Sequence, residues 1–121
     1  MPRILVVDDD ADMREVIALA LDGQGYDIEK VGSGPAALEQ LAQHAYDLIV
    51  CDLDMPDVDG RALYRAIERR LPPRPAFLFV TGYAHGRPYE EFLRAAQVPV
   101  LSKPFAISVL RGSVRRILNG T

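Results

Sequence analysis

Asp8, Asp9 and Asp10 form an unbroken row after one apolar run, Asp52 and Asp54 flank the end of another, and Thr81 and Lys103 close two more. Carboxylates brought together repel one another unless a cation or a proton intervenes. A hard divalent metal with oxygen ligands is the simplest solution; magnesium, or manganese in its place, suits a few carboxylates, waters and a phosphoryl oxygen. Each residue also has a plainer reading. Asp10 or Asp12 can cap a helix, Asp52 and Asp54 can be loop carboxylates leading into the turn at Pro56, and Thr81-Gly82 and Lys103-Pro104 are ordinary exits from strands. Taken together the plainer readings weaken, because the polar groups fall at the same end of four different runs.

The elements that must position these residues can be read from hydrophobic patterning. Ile4 to Val7, Leu48 to Cys51 and Phe77 to Val80 are continuous apolar runs, the pattern of parallel strands covered on both faces. Ile28 to Val31 is more polar, which suits a position nearer an edge, and Val100-Leu101 is a weaker fifth strand. Helices fill the gaps. Met13, Val16, Ile17, Ala20 and Leu21 make one apolar stripe, stopped by Gly23 and Gly25. Ser33 before Gly34-Pro35 starts a helix carrying Leu38 and Leu41, and Asp59 before Gly60 starts one carrying Leu63 and Ile67. Pro72, Pro73 and Pro75 break the chain ahead of the fourth strand. A short helix with Phe92 and Leu93 is expected over Pro88 to Ala96. The last helix carries Ile107, Leu110, Val114, Ile117 and Leu118, with Gly112 inside it at a cost of roughly 1 kcal/mol relative to alanine. Five alternations of strand and helix imply right-handed crossovers and a doubly wound α/β sandwich around a parallel sheet. In such sheets ligands bind beyond the carboxyl ends of the strands, where strand order reverses.

With 121 residues, about half of them apolar, the chain is expected to form one domain over residues 1–121, without an output domain in this stretch. A formal net charge of −3 gives no sign of a nucleic-acid surface. The first apolar run is too short for a signal peptide or a membrane span, so a cytoplasmic location is expected. Cys51, the lone cysteine, is read as a packing residue. His44 and His85 lack metal-ligand spacing and are read as surface residues. Arg111, Arg115 and Arg116 are read first as a solvated helix face, with a basic partner-binding face as the alternative.

Four segments in order, ILVVDDD at Ile4 to Asp10, LIVCDLDMPDVDG at Leu48 to Gly60, FVTG at Phe79 to Gly82 and LSKPF at Leu101 to Phe105, make the chain resemble the response-regulator receiver family over nearly its whole length. The resemblance implies a flavodoxin-like strand order, 2-1-3-4-5. It implies Asp52 as phosphoacceptor and a magnesium site made by Asp8, Asp9, Asp52 and the backbone carbonyl of Asp54. Thr81 would be the switch hydroxyl, Lys103 the pairing cation, and the Lys103-Pro104 bond cis. Phosphoryl transfer asks mainly for an in-line nucleophile and compensation of charge on the phosphoryl oxygens, which this set supplies. A histidine kinase or histidine phosphotransfer protein is the implied donor, with an output partner on the face from the fourth helix to the fifth and a dimer that forms on phosphorylation. Membrane association and direct nucleic-acid binding are not expected.

Two positions modify that pattern. Many receivers carry an aromatic residue three positions before the motif lysine, and here that switch position is Val100. Tyr83 and Asp54 stand two residues after Thr81 and Asp52, where the family places residues flanking the path of the hydrolytic water, so both are expected to modulate phosphate lifetime. The GYAHGRP and VPVLSKPF segments resemble receivers attached to hybrid histidine kinases more than those preceding DNA-binding domains. Two rival readings exist. Asp52-Leu53-Asp54 matches the paired aspartates of haloacid-dehalogenase-like phosphatases, although these usually carry the motif on their first strand. A degenerate receiver acting only as an interaction module is the other.

Overall fold

The computed structural model describes residues 1–70, 72–82 and 89–120. Five strands alternate with five helices: β1 Arg3–Val7, α1 Ala11–Leu21, β2 Asp27–Val31, α2 Gly34–Gln43, β3 Leu48–Cys51, α3 Gly60–Glu68, β4 Ala76–Thr81, α4 Glu90–Ala96, β5 Val100–Ser102 and α5 Ile107–Asn119. All strand pairs are parallel, in the order β2-β1-β3-β4-β5, as expected. The strand order reverses between β1 and β3, so the crevice at their carboxyl ends is the switch point of the sheet. Val7 lies beside Cys51 and Cys51 beside Phe79 in register, which brings Asp8, Asp52 and the end of β4 to one level.

Local chemistry sets the helix starts. Asp10, Ser33 and Asp59 cap α1, α2 and α3, each accepting from a backbone N–H of the first turn. Proline follows Ser33 within the first turn of α2, where its missing N–H costs nothing. The expected short helix is α4 from Glu90 on, and Pro88 lies outside the described residues.

Two apolar layers cover the sheet. Beneath α2, α3 and α4 the layer is aromatic: Tyr64, Phe77, Phe79 and Phe92 meet with ring centroids 5.1 to 6.1 Å apart, mostly edge to face. Beneath α1 and α5 it is mainly aliphatic, built on Ile4, Val6, Ile17, Leu21, Leu78, Leu110 and Val114. Val16 departs from expectation. It is 42 % exposed, because at about 100° per residue it falls on the rim of the arc centred on Met13, Ile17 and Ala20. Ile107, in the first turn of α5, is likewise exposed. Arg111 is not a solvated residue: its Nε donates to the Ala20 carbonyl at 2.6 Å and ties α5 to the end of α1, while Arg115 and Arg116 are exposed. His44 is exposed at the end of α2, and His85 lies outside the described residues.

Candidate functional site

Asp8 directly follows β1 and is completely buried. Its surroundings fix it from every side: its N–H donates to the Val31 carbonyl, its carbonyl accepts from Arg14 Nη1 at 2.7 Å, Oδ1 accepts from the Asp10 N–H at 2.9 Å, and Oδ2 accepts from Lys103 Nζ at 3.0 Å. Asp52 follows β3 and is nearly as buried. Its Oδ1 accepts from the Asp54 N–H at 3.3 Å, and its Oδ2 lies 3.3 Å from Lys103 Nζ. Asp9 is exposed beside them, and one carboxylate oxygen from each of Asp8, Asp9 and Asp52 falls within 4.8 Å of the others.

Lys103 reaches this group because β5 ends at Ser102 and the Lys103 N–H donates to the Thr81 carbonyl at 2.9 Å, continuing the β4–β5 ladder one residue past the strand. The Lys103-Pro104 peptide bond is cis, as the resemblance implied. Thr81 ends β4 and is fully buried. Val100 pairs with Phe79 and packs, half-buried, against the aromatic layer. The side chain of Asp54 is exposed next to Asp52. Tyr83 lies outside the described residues.

The electrostatics show one ammonium group shared by two buried carboxylates. Burial pushes the Asp52 carboxyl upward; the Lys103 charge opposes this, Asp8 adds to it, and the net shift is upward. For Lys103, burial works against the charged form, yet the Asp8 hydrogen bond and the Asp52 charge outweigh it, and its ammonium is held above the usual lysine range. The Lys103 shift points to a site with more negative than positive charge, and the Asp52 shift reflects chiefly its burial. Three oxygen donors within reach of one another, one of them exposed, fit a hard divalent cation. Cys51, immediately before Asp52, is buried and its thiol is pushed well up by that burial and by the neighbouring carboxylates, as suits a packing residue.

Two contributors were not found from the sequence. A Cβ at Gly60 would sit 2.6 Å from the Asp52 carbonyl oxygen and 2.9 Å from Leu53 Cα, so α3 starts directly against the backbone of Asp52. The Gly60 N–H also donates to the Leu53 carbonyl at 3.0 Å. Arg14 is the second. It lies one turn after the Asp10 cap, and helical side chains lean toward the N-terminus, which is the signal that could have placed its guanidinium over Asp8.

Residues 4–115 match the family model described as the response regulator receiver domain. Over 118 residues the chain is 32 % identical to the response regulator receiver protein CpdR of Brucella abortus, covering 98 % of each. It is also 32 % identical over 117 residues to the sensor kinase CckA of that organism, covering 95 % of this chain but 12 % of the kinase. The chain spans about a quarter of the longer transcriptional regulators it matches. Among solved structures, the response regulator TrrA of Thermotoga maritima, determined in complex with Mg(2+)-BeF, superposes with a TM-score of 0.85 at 29 % identity, covering 98 % of this chain and all of that one. With an Asp-rich crevice at the switch point of a 2-1-3-4-5 sheet and a family match over nearly its full length, the chain belongs to the response regulator receiver domain family of two-component phosphorelay signalling.

Proposed function

We propose that residues 1–121 act as one receiver domain in which Asp52 is the phosphoacceptor. The observation that carries this is Lys103 Nζ between Asp8 and Asp52, at 3.0 and 3.3 Å, beside the cluster that Asp9 completes. In the proposed step an Asp52 carboxylate oxygen forms a bond to phosphorus while the bond from phosphorus to an imidazole nitrogen of a donor histidine breaks. Lys103 holds its proton and offers positive charge to the incoming phosphoryl oxygens. Thr81, which ends β4, would donate a hydrogen bond once the group has arrived. Asp8, Asp9, Asp52 and the Asp54 carbonyl would hold magnesium, which when bound supplies the further positive charge that transfer requires.

The donor in this reading is a histidine kinase or a histidine phosphotransfer protein, met in the cytoplasm. The described residues contain no helix long and apolar enough to cross a membrane. Output is read from the face between α4 and α5, with dimerisation as a further consequence of phosphorylation. With Val100 in the switch position, movement of Thr81 acts on the Phe79 side of β4 without an aromatic partner from β5. The family match displaces the phosphatase alternative, and the presence of every residue the chemistry needs argues against a degenerate module.

Incubation with a small-molecule phosphodonor and magnesium, with mass measured before and after, is expected to add one acid-labile phosphoryl group to the wild type and none to Asp52→Asn. Equal labelling of both would remove Asp52 from this role, and no labelling of either would restore the degenerate reading. Tyr83→Ala should change the rate of phosphate loss; an unaltered lifetime would sink that part. Millimolar magnesium should raise the melting temperature by mass action in the wild type but not in Asp9→Ala.

A further inference from the structure

Besides Lys103, a second cation lies against the acidic row. Arg14 Nη1 lies 2.7 Å from the carbonyl oxygen of Asp8, at the backbone of the acidic row, and among the described residues it forms no ion pair with Asp8, Asp9 or Asp10. It is half-buried. Its slot is built from a second element: a Cβ at Gly32, just after β2, would meet Arg14 Nη1 at 2.9 Å and Cζ at 3.4 Å. The absence of a side chain at position 32 leaves the room that the guanidinium occupies.

A positive charge here repels any metal bound by Asp8, Asp9 and Asp52, so simple electrostatics predicts that Arg14 weakens the site. Its hydrogen bond acts the other way. The Asp8 carbonyl belongs to the peptide unit joining Asp8 to Asp9, and fixing it fixes where both carboxylates leave the backbone. The Asp8 N–H on Val31 and the Asp10 N–H on Asp8 Oδ1 brace the same turn. Loss of a group that orients metal ligands typically costs roughly 10- to 100-fold in metal affinity.

We propose that Arg14, seated in the slot left by Gly32, is a positioning residue that sets the β1–α1 turn for metal binding and that its orienting effect exceeds its repulsion. This rests on the magnesium site proposed above. The two effects have opposite signs, so one substitution separates them. Magnesium titration followed by calorimetry, on the 121-residue chain shown by circular dichroism to be folded at the working temperature, should give a dissociation constant roughly 10-fold weaker for Arg14→Gln than for the wild type. Arg14→Lys, which keeps the charge and loses the fork, should also weaken binding. Gly32→Ala, which displaces the guanidinium from another element, should change binding in the same direction and serves if Arg14→Gln does not fold. Unchanged or tighter binding in these variants, with the wild type binding magnesium, would overturn the positioning role alone. A wild type that shows no magnesium binding would overturn the metal site and the positioning role with it.

Discussion

The acidic crevice and the aromatic layer under β4 are held together by opposite means. In the crevice Asp8, Asp52 and Lys103 are fixed by directional bonds, four on Asp8 alone, yet two buried carboxylates share a single ammonium. In the layer Tyr64, Phe77, Phe79 and Phe92 make edge-to-face ring contacts that cover a large apolar area without hydrogen bonds. The layer supplies stability, and the crevice spends some of it by burying two carboxylates beside one ammonium. Under the proposed function the protein needs both: a body that holds its shape and an edge able to take up a cation and a phosphoryl group.

Truncating the layer should have the largest effect. Phe79→Ala is expected to cost about 3–5 kcal/mol by denaturant unfolding, and a double-mutant cycle with Phe92→Ala should show a coupling of about 0.5–1.5 kcal/mol. Additive losses would mean the rings do not act as a unit. Next comes Lys103→Ala, which leaves Asp8 and Asp52 facing each other without their shared cation and should cost about 3 kcal/mol at neutral pH. Because the folded-state pKa of Lys103 is raised, its contribution is fully present at neutral pH and should fade only as pH rises beyond the ordinary lysine range. Loss of wild-type stability in that alkaline range that Lys103→Ala does not share is the check.

Removing charge from the crevice should work in the other direction. Asp52→Asn is expected to gain on the order of 1 kcal/mol in metal-free protein. The Asp52 carboxyl is raised in the folded state, so its penalty is fully present above the folded-state pKa and disappears as pH falls through the ordinary carboxylate range. The melting-temperature advantage of Asp52→Asn at neutral pH should therefore shrink on acidification, and an advantage that grows instead would contradict the assigned charge state. The smallest effect serves as a control away from both regions. Gly112 lies within α5, where an added Cβ would meet only Arg116 Nη1 at 4.0 Å, so Gly112→Ala should stabilise by about 0.5–1 kcal/mol without altering phosphorylation.

The parts of this protein that depend on neighbours in sequence were legible from the sequence itself. Continuous apolar runs marked the buried strands, Asp10, Ser33 and Asp59 marked helix starts, and the motifs ending at Asp10, Gly60, Gly82 and Phe105 named the crevice residues, because strand period, capping and the strand-end rule all act over a few residues. Tertiary structure decided what depends on the approach of distant segments. The half-burial of Val100 against the aromatic layer, Arg111 bound to the Ala20 carbonyl, Gly60 pressed on the backbone of Asp52, and Arg14 in the slot at Gly32 all join residues that sequence spacing does not pair. Sequence listed the charges of the crevice; only packing decided that one lysine would serve two buried carboxylates, because burial and sharing arise when β1, β3 and β5 are brought to the same edge.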